Sequence, residues 1–308
     1  MRIAICYEPP AANSSPDIKD VEEQVTFLER NIEGHQVIRL PYRGDPAAFI
    51  NKLKMADVAW NLFETFNESE IESYLGAALF EISGMPYTGS SLAALLSTHD
   101  KRLVKHILSL EQITTPSTVR EPGQWIIKPI YTHGSVGLND YSVINAATVK
   151  ELNAALAMAG KYYFAEKYID GEELSVTLLD IGSGLQSRAV SKMEFNYPPD
   201  KPKILTYDAK WSPNSQEYMD SNRSFDVEQE IARAAMRIAE KTARVLNLEG
   251  YARVDFRVEN GVFYCIDVNS NPAITQDSGF AAAALASGLT IPETLEFIIR
   301  QAAYEDHP

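Results

Sequence analysis

The chain is poor in several features that would each point to a class of protein. Among its 308 residues only Cys6 and Cys265 are cysteines, and both lie in apolar, strand-like runs. That excludes a disulfide framework and falls short of a structural zinc site, leaving two small buried thiols. Basic residues are outnumbered, 28 Lys+Arg against 42 Asp+Glu, for a formal charge of −14. A field of that sign repels phosphate backbones and anionic lipid, so neither a nucleic-acid nor a membrane partner is expected; a local basic pocket can still take one small anion. No segment approaches the roughly 18 uninterrupted apolar residues of a membrane span. The short apolar start, Ile3 to Tyr7, runs into Glu8-Pro9 and does not read as a signal peptide. The expected setting is reducing and cytoplasmic. The common nucleotide and nucleophile signatures are also missing: there is no Gly-x-x-x-x-Gly-Lys-Ser/Thr, no Gly-x-Gly-x-x-Gly after a strand and no Gly-x-Ser-x-Gly.

What is present is an ordinary globular composition, 45% hydrophobic and 23% charged, sufficient for a sizeable core. Short apolar runs at 3–7, 37–40 and 56–62 alternate with helical patterns at 21–30, 46–53 and 70–82. This predicts a small parallel α/β unit. A helix over 101–110, a strand over 125–129, a helix over 148–158 and a strand over 162–168 follow. An antiparallel pair is predicted over 174–181 and 187–195, then a polar, proline-containing passage from Tyr197 to Ser221, too long for an ordinary connection and read as a functional loop. A helix with one apolar face (Val227 to Val245), two strands at 252–258 and 262–269, and one closing helix complete the chain. The composition shifts place boundaries to give units 1–92, 93–175 and 176–308.

The two late strands carry the most chemistry. Along a strand Arg253, Asp255 and Arg257 share one side, as do Asp267 and Asn269. The turn between the strands decides whether the two sides coincide. A three-residue loop Glu259-Asn260-Gly261, with Gly261 left-handed, sets Val258 opposite Val262 and Arg253 opposite Asp267, and all five polar side chains then share a face. A two-residue Asn260-Gly261 turn would put Asp255 and Asp267 on opposite faces. Two carboxylates and an amide oxygen on one face suit a hard cation such as Mg²⁺; the competing reading is a solvated face crossed by an Arg–Asp pair. A second feature is Lys128-Pro129 followed by a loop in which Gly134, Ser135 and Gly137 are small enough for backbone N–H groups to approach an anion. His133 in that loop is either a phosphate donor or an exposed histidine with no role. A third is Glu166-Lys167-Tyr168-Ile169, then Asp170-Gly171-Glu172-Glu173, an extended strand and turn able to meet an adenine edge and ribose hydroxyls, or simply a charged surface strand.

Taken in order, these features resemble the D-alanine–D-alanine ligase-like branch of the ATP-grasp family. Met85-Pro86-Tyr87-Thr88-Gly89-Ser90 is similar to that family's Pro-Tyr-Thr-Gly-Ser, Asp100-Lys101 to its Asp-Lys helix start, and Thr115-Pro116 follows in order. Lys128-Pro129 with the loop to Gly137 resembles its phosphate cover, and Tyr207-Asp208-Ala209-Lys210-Trp211 resembles its mobile Tyr-x-Ala-Lys-Tyr loop. Arg253 to Ser278 resembles its metal and substrate segment.

The resemblance implies an α/β (α+β) ATP-grasp fold, with a parallel N-terminal α/β domain and two mixed or antiparallel α+β domains enclosing ATP. It implies a carbon–nitrogen ligase that phosphorylates a carboxylate and lets an amine displace the phosphate, joining small amino acids or related acids. By position, Asp255, Asp267 and Asn269 would hold two Mg²⁺, for which Mn²⁺ could substitute. Lys101, Lys128 and Lys210 would contact phosphates under the loop of His133, Gly134 and Ser135. Glu166, Lys167, Ile169 and Glu173 would bind adenosine. Arg253 and the Ala273 N–H would stabilise an oxyanion, and Ser278 would bind a substrate carboxylate. A homodimer is implied as well. Three departures stand out: Asp267 where the family has Glu, Asn271-Pro272-Ala273 in place of a Pro-Gly pair, and Glu8-Pro9-Pro10 where the family's Ser-x-Glu would hold the first amino acid. The first-substrate pocket is therefore expected to differ. Two other readings stay open: an enzyme of this scaffold that makes an acyl phosphate or an intramolecular cyclised amide, and a non-catalytic nucleotide-binding protein.

Overall fold

The computed structural model of the protein describes residues 1–304. Strand β1 (Arg2–Tyr7) pairs in parallel with β2 (Gln36–Pro41) and β3 (Val58–Asn61), in the order β2-β1-β3. Its run Ile3 to Cys6 is fully buried because helices cover both faces, which is why it reads as continuous and not alternating. The crossovers are α1 (Pro16–Asn31) and α2 (Pro46–Leu53), each entered through a proline whose missing N–H costs a helix start nothing. Asp45 caps α2 by accepting from Ala48 N, a contact of about 1 kcal/mol. The helix expected over 70–82 is broken. A single 3₁₀ turn at Glu70–Glu72 precedes α3 (Leu75–Ser83), in which Gly76 lies so close to the Phe63 ring that a Cβ would sit 2.1 Å from it. Helix α4 (Leu92–His99) follows, and Asp100 both ends it and caps α5 (Lys101–Leu110) by accepting from Arg102 N and Leu103 N.

The second sheet, ordered β5-β4-β6, contains β4 (Gly123–Pro129), β5 (Val143–Ala146) and β6 (Tyr163–Lys167). Helix α6 (Val149–Ala159) packs Leu152 against Trp125, Ile127 and Ala165. Odd-numbered residues of β4 thus face this helix, and Ile126, Lys128 and Glu166 face the other way. The third sheet is antiparallel, ordered β11-β10-β7-β8-β9: β7 (Glu172–Asp180), β8 (Leu185–Phe195), β9 (Ser221–Ser224), β10 (Tyr251–Glu259) and β11 (Val262–Asn269). The passage between β8 and β9 holds two short helices, α7 (Tyr207–Trp211) and α8 (Gln216–Met219). Helix α9 (Gln229–Val245) lays Ala235, Ala239 and Ala243 on one face of this sheet, where Val104 and Leu108 of α5 join Val176, Val254 and Phe256. The closing helix is two helices, α10 (Gly279–Ala286) and α11 (Ile291–Tyr304). Leu295, Ile298 and Ile299 of α11 share a core with Ile3, Ile5, Val25 and Trp60, so the last helix packs on the first sheet. Among the described residues no single helix is long and apolar enough to cross a membrane.

The β10–β11 hairpin departs from its expected form in an instructive way. Glu259 pairs with Val262, so the loop is the two-residue Asn260-Gly261, with φ of 51° and 76° at its two positions. Continued unbroken, that register would send Asp255 and Asp267 to opposite faces. It is interrupted: Phe256 pairs with Cys265 but Asp255 with Asp267, leaving Ile266 as a bulge. The extra residue flips the alternation, so Cys265 and Val268 both enter the hydrophobic core while Asp267 and Asn269 turn to the open face. The partner of Arg253 is accordingly Asn269, and Asp267 lies opposite Asp255. The expected face is kept, by a different turn and a compensating bulge.

Candidate active site

The open face of the third sheet, the polar face of the second and the C-terminal ends of β1 and β3 surround one cleft of about 1370 Å³. Every site residue inferred from the sequence lines it: Lys101, Lys128, His133, Gly134, Ser135, Glu166, Lys167, Ile169, Glu173, Lys210, Arg253, Asp255, Asp267, Asn269, Ala273 and Ser278. How each one faces the cleft differs.

At the hairpin, Asp255 takes a bidentate contact from Arg253, with Nε at 2.9 and 3.1 Å and Nη2 at 2.8 Å. Asp267 lies 3.7 Å from Lys101 Nζ and 3.5 Å from His133 Nδ1. Burial pushes the Asp267 carboxyl up, but Lys101 and His133 outweigh it and hold the group well below the usual carboxylate range. Asn269 Oδ1 accepts from Asn271 N at 3.0 Å. These oxygens, two of them on carboxylates directly opposed across the ladder, form the donor set that a hard divalent cation prefers. Among the described residues the buried His133 Nδ1 has no hydrogen-bond partner, its 3.5 Å approach to Asp267 being an ion-pair distance only.

The Gly-containing loop is tied down from below and above. Lys101 Nζ donates to Thr132 O at 2.6 Å. Gly134 and Ser135 are both left-handed, with φ of 66° and 65°. A Cβ at Gly134 would stand 3.2 Å from Lys210 Nζ, so glycine is what lets this ammonium lie against the loop. Trp211 Nε1 donates to Gly134 O at 2.8 Å, and Tyr207 Oη donates to Asp17 Oδ1 at 2.6 Å. Segment 197–221 therefore spans the cleft from the loop to α1. Among the described residues Lys210 forms no hydrogen bond or ion pair, and it sits over the Trp211 ring at 4.7 Å. Burial, reinforced by Arg253, lowers its pKa to about 8.

Along β6 and β7 the engagement is tighter than the sequence suggests. Lys128 Nζ lies 2.7 Å from Glu166 Oε1 and donates at 2.9 Å to Ile266 O, the carbonyl of the bulged residue itself. Lys105 Nζ pairs with Glu166 Oε2. Lys167 turns its ammonium away to Glu121 Oε1 at 2.9 Å and spends its N–H on Ser117 O, so it has only its carbonyl left for a ligand. Glu173 accepts from Arg257 Nη2 at 2.6 Å. Ser278 caps α10, accepting from Ala281 N at 3.1 Å, and retains its own hydroxyl proton as a donor.

The sequence reading missed two groups. Lys105 had a signal, since it falls one helical turn after Lys101 on the same face. The other is an acidic wall at the N-terminal end of the cleft, made by Glu8, Asp17, Asp20, Glu64 and Glu70. Among the described residues none of these has a Lys, Arg or His side-chain nitrogen within 4.0 Å. Burial raises Glu64 and Glu70 each to about 7, the latter with help from Asp17. No motif announces these residues; they come from four separate segments of the first 70 residues.

Residues 117–300 match the family model described as "D-ala D-ala ligase C-terminus". The D-alanine–D-alanine ligase of Marinomonas sp. (strain MWYL1) is 30% identical over 289 residues, 88% of this chain and 86% of the relative. The chain belongs to the D-alanine–D-alanine ligase-like branch of the ATP-grasp family. The corresponding ligase of Moorella thermoacetica is 27% identical over 322 residues, 97% of this chain and 98% of its own. In fold, this ATP-grasp chain is similar to the D-alanine–D-alanine ligase from Bacillus anthracis complexed with ATP, with a TM-score of 0.75 at 20% identity, covering 98% of this chain and 97% of the other. It is also similar to the VanG D-Ala:D-Ser ligase from Enterococcus faecalis, with a TM-score of 0.70 at 17% identity, covering 98% and 99%.

Proposed function

We propose that the protein is an ATP-dependent ligase that joins two small amino acids, or an amino acid and a related acid, through an acylphosphate. The observation that carries this reading is the bulged hairpin, which turns Asp255, Asp267 and Asn269 together into a cleft already supplied with lysines. Asp255, Asp267 and Asn269 would hold divalent cations, Mg²⁺ first, whose charge when bound offsets that of the phosphate oxygens. Lys101 and Lys128 hold fixed positive charge beneath the nucleotide, and Lys210 supplies it from above. The Glu166 to Ile169 strand and Glu173 form the adenosine end. A carboxylate oxygen of the first substrate bonds to the γ-phosphorus as ADP leaves. The amine of the second then bonds to the acyl carbon as phosphate leaves, giving an amide. Arg253 and the Ala273 N–H face the oxyanion formed in that second step. The closed cover of Tyr207 and Trp211 keeps water from the acylphosphate. The reading also takes units 1–92, 93–175 and 176–308 as substrate, central and metal-bearing domains.

We further read the first-substrate pocket as altered. The acidic wall offers several carboxylates to an ammonium group. Since a D-Ala:D-Ser ligase shares this fold, the fold leaves the amino acid open. The test is a screen of phosphate release with amino acids offered singly and in pairs. The expected result is Mg²⁺-dependent release that needs an acid and an amine together and favours a pair other than two D-alanines. Release with a single substrate would indicate an acyl phosphate or a cyclised product, and none over a broad panel would overturn the ligase reading.

A further inference from the structure

Lys105 has no part in the roles above, yet its side chain is only 9% exposed. It projects from α5 on the same face as Lys101 and meets Glu166 Oε2, while Lys128 of β4 meets Glu166 Oε1 at 2.7 Å. The Glu166 side chain is 2% exposed. Lys128 also donates to Ile266 O, so the cluster is wedged where the second sheet meets the bulge of the third. The charge arithmetic is unusual. Glu166 and Lys128 alone would be neutral, and Lys105 makes the buried group a net cation. An excess charge of this kind is costly to bury unless an anion answers it. Lys128 is the member on the cleft wall that can meet one. Burial pushes the Glu166 carboxyl up, and Lys105 and Lys128 together bring it below its ordinary value, so the carboxylate is ionised at neutral pH and does consume one positive charge.

We propose that Lys105 is a positioning residue that cancels the charge of Glu166, so that Lys128 meets the polyphosphate of a nucleotide as a net cation. The inference rests on the nucleotide reading above. Its test is calorimetric binding of adenosine and of ATP at fixed Mg²⁺ without amino acids. The ratio of the two Kd values isolates what the phosphates contribute. Lys105→Met should lower that ratio about tenfold, the scale of one unit charge in a partly screened site, and Lys105→Arg should restore it. Glu166→Gln should raise it. The double variant Lys105→Met, Glu166→Gln should return it to the unsubstituted value, even where adenosine itself binds more weakly. A Lys105 that only supports the fold would shift both ligands alike, and the double variant would be no better than the single. A ratio constant across the series, or unchanged by Glu166→Gln should Lys105→Met not fold, overturns the inference while ATP binding by the unsubstituted chain upholds the nucleotide reading. No binding of either ligand by the unsubstituted chain overturns both.

Discussion

On the wall formed by β4, β6, β7, β10 and β11, each cation meets a carboxylate: Lys101 meets Asp267, Lys105 and Lys128 meet Glu166, Arg253 meets Asp255 and Arg257 meets Glu173. On the opposite wall, Glu8, Asp17, Asp20 and Glu64 meet hydroxyls and amides and Glu70 stands beside them, with no Lys, Arg or His nitrogen within 4.0 Å among the described residues. A paired wall is pre-organised, its charges fixed before any ligand arrives. An unpaired acidic wall keeps a charge deficit that a cationic ligand would relieve. Under the proposed function the two halves of the cleft would take opposite ligands, a polyanion with its metal on one side and an ammonium on the other.

Substitutions should separate the halves. The largest effect is expected at Asp267→Asn, which should cut ligation by at least about a hundredfold, the scale of losing electrostatic stabilisation at the reacting phosphate, with the fold intact by circular dichroism. Full turnover in that variant would break the paired-wall account. Next, Asp20→Asn or Glu64→Gln should raise KM for the amine-bearing substrate about tenfold, the value of one charged hydrogen bond, and leave KM for ATP unchanged. A rise in both would mean that the walls are not separate. Then comes Lys210, whose ammonium is protonated below about 8 and neutral above it. KM for ATP should climb as pH passes about 8, and Lys210→Arg should move that climb upward. The smallest effect concerns stability. Glu64 keeps in the folded state a proton that the unfolded chain releases near 4.5, so stability should fall as pH rises from 4.5 through about 7. Glu64→Gln should recover about 1 kcal/mol at pH 8, read as a thermal midpoint raised by about 3 °C.

The same contrast explains what could be read from the sequence. The wall that the proposed function assigns to the nucleotide is written in local runs such as Asp100-Lys101, Lys128-Pro129 and Arg253 to Asn269, because one strand or one helix start presents several groups at once. The acidic wall is assembled from the β1 end, α1, the β3 end and a 3₁₀ turn, and only tertiary structure brings these together. The hairpin lay between these cases. Its functional face was legible from the polar residues, but its turn was not, because the bulge at Ile266 leaves no compositional mark. Strands β5 and β9 escaped notice for a similar reason: each is four residues at a sheet edge, and Ser-Asn-Arg-Ser has no apolar alternation.

The most direct measurement is electron paramagnetic resonance of Mn²⁺ titrated into the protein at saturating ATP. The unsubstituted chain should immobilise two ions per chain and Asp267→Asn fewer, with the protein folded in both cases. Equal binding by both, or no ATP-dependent binding by either, would contradict the assignment of the bulged hairpin as the seat of the metal.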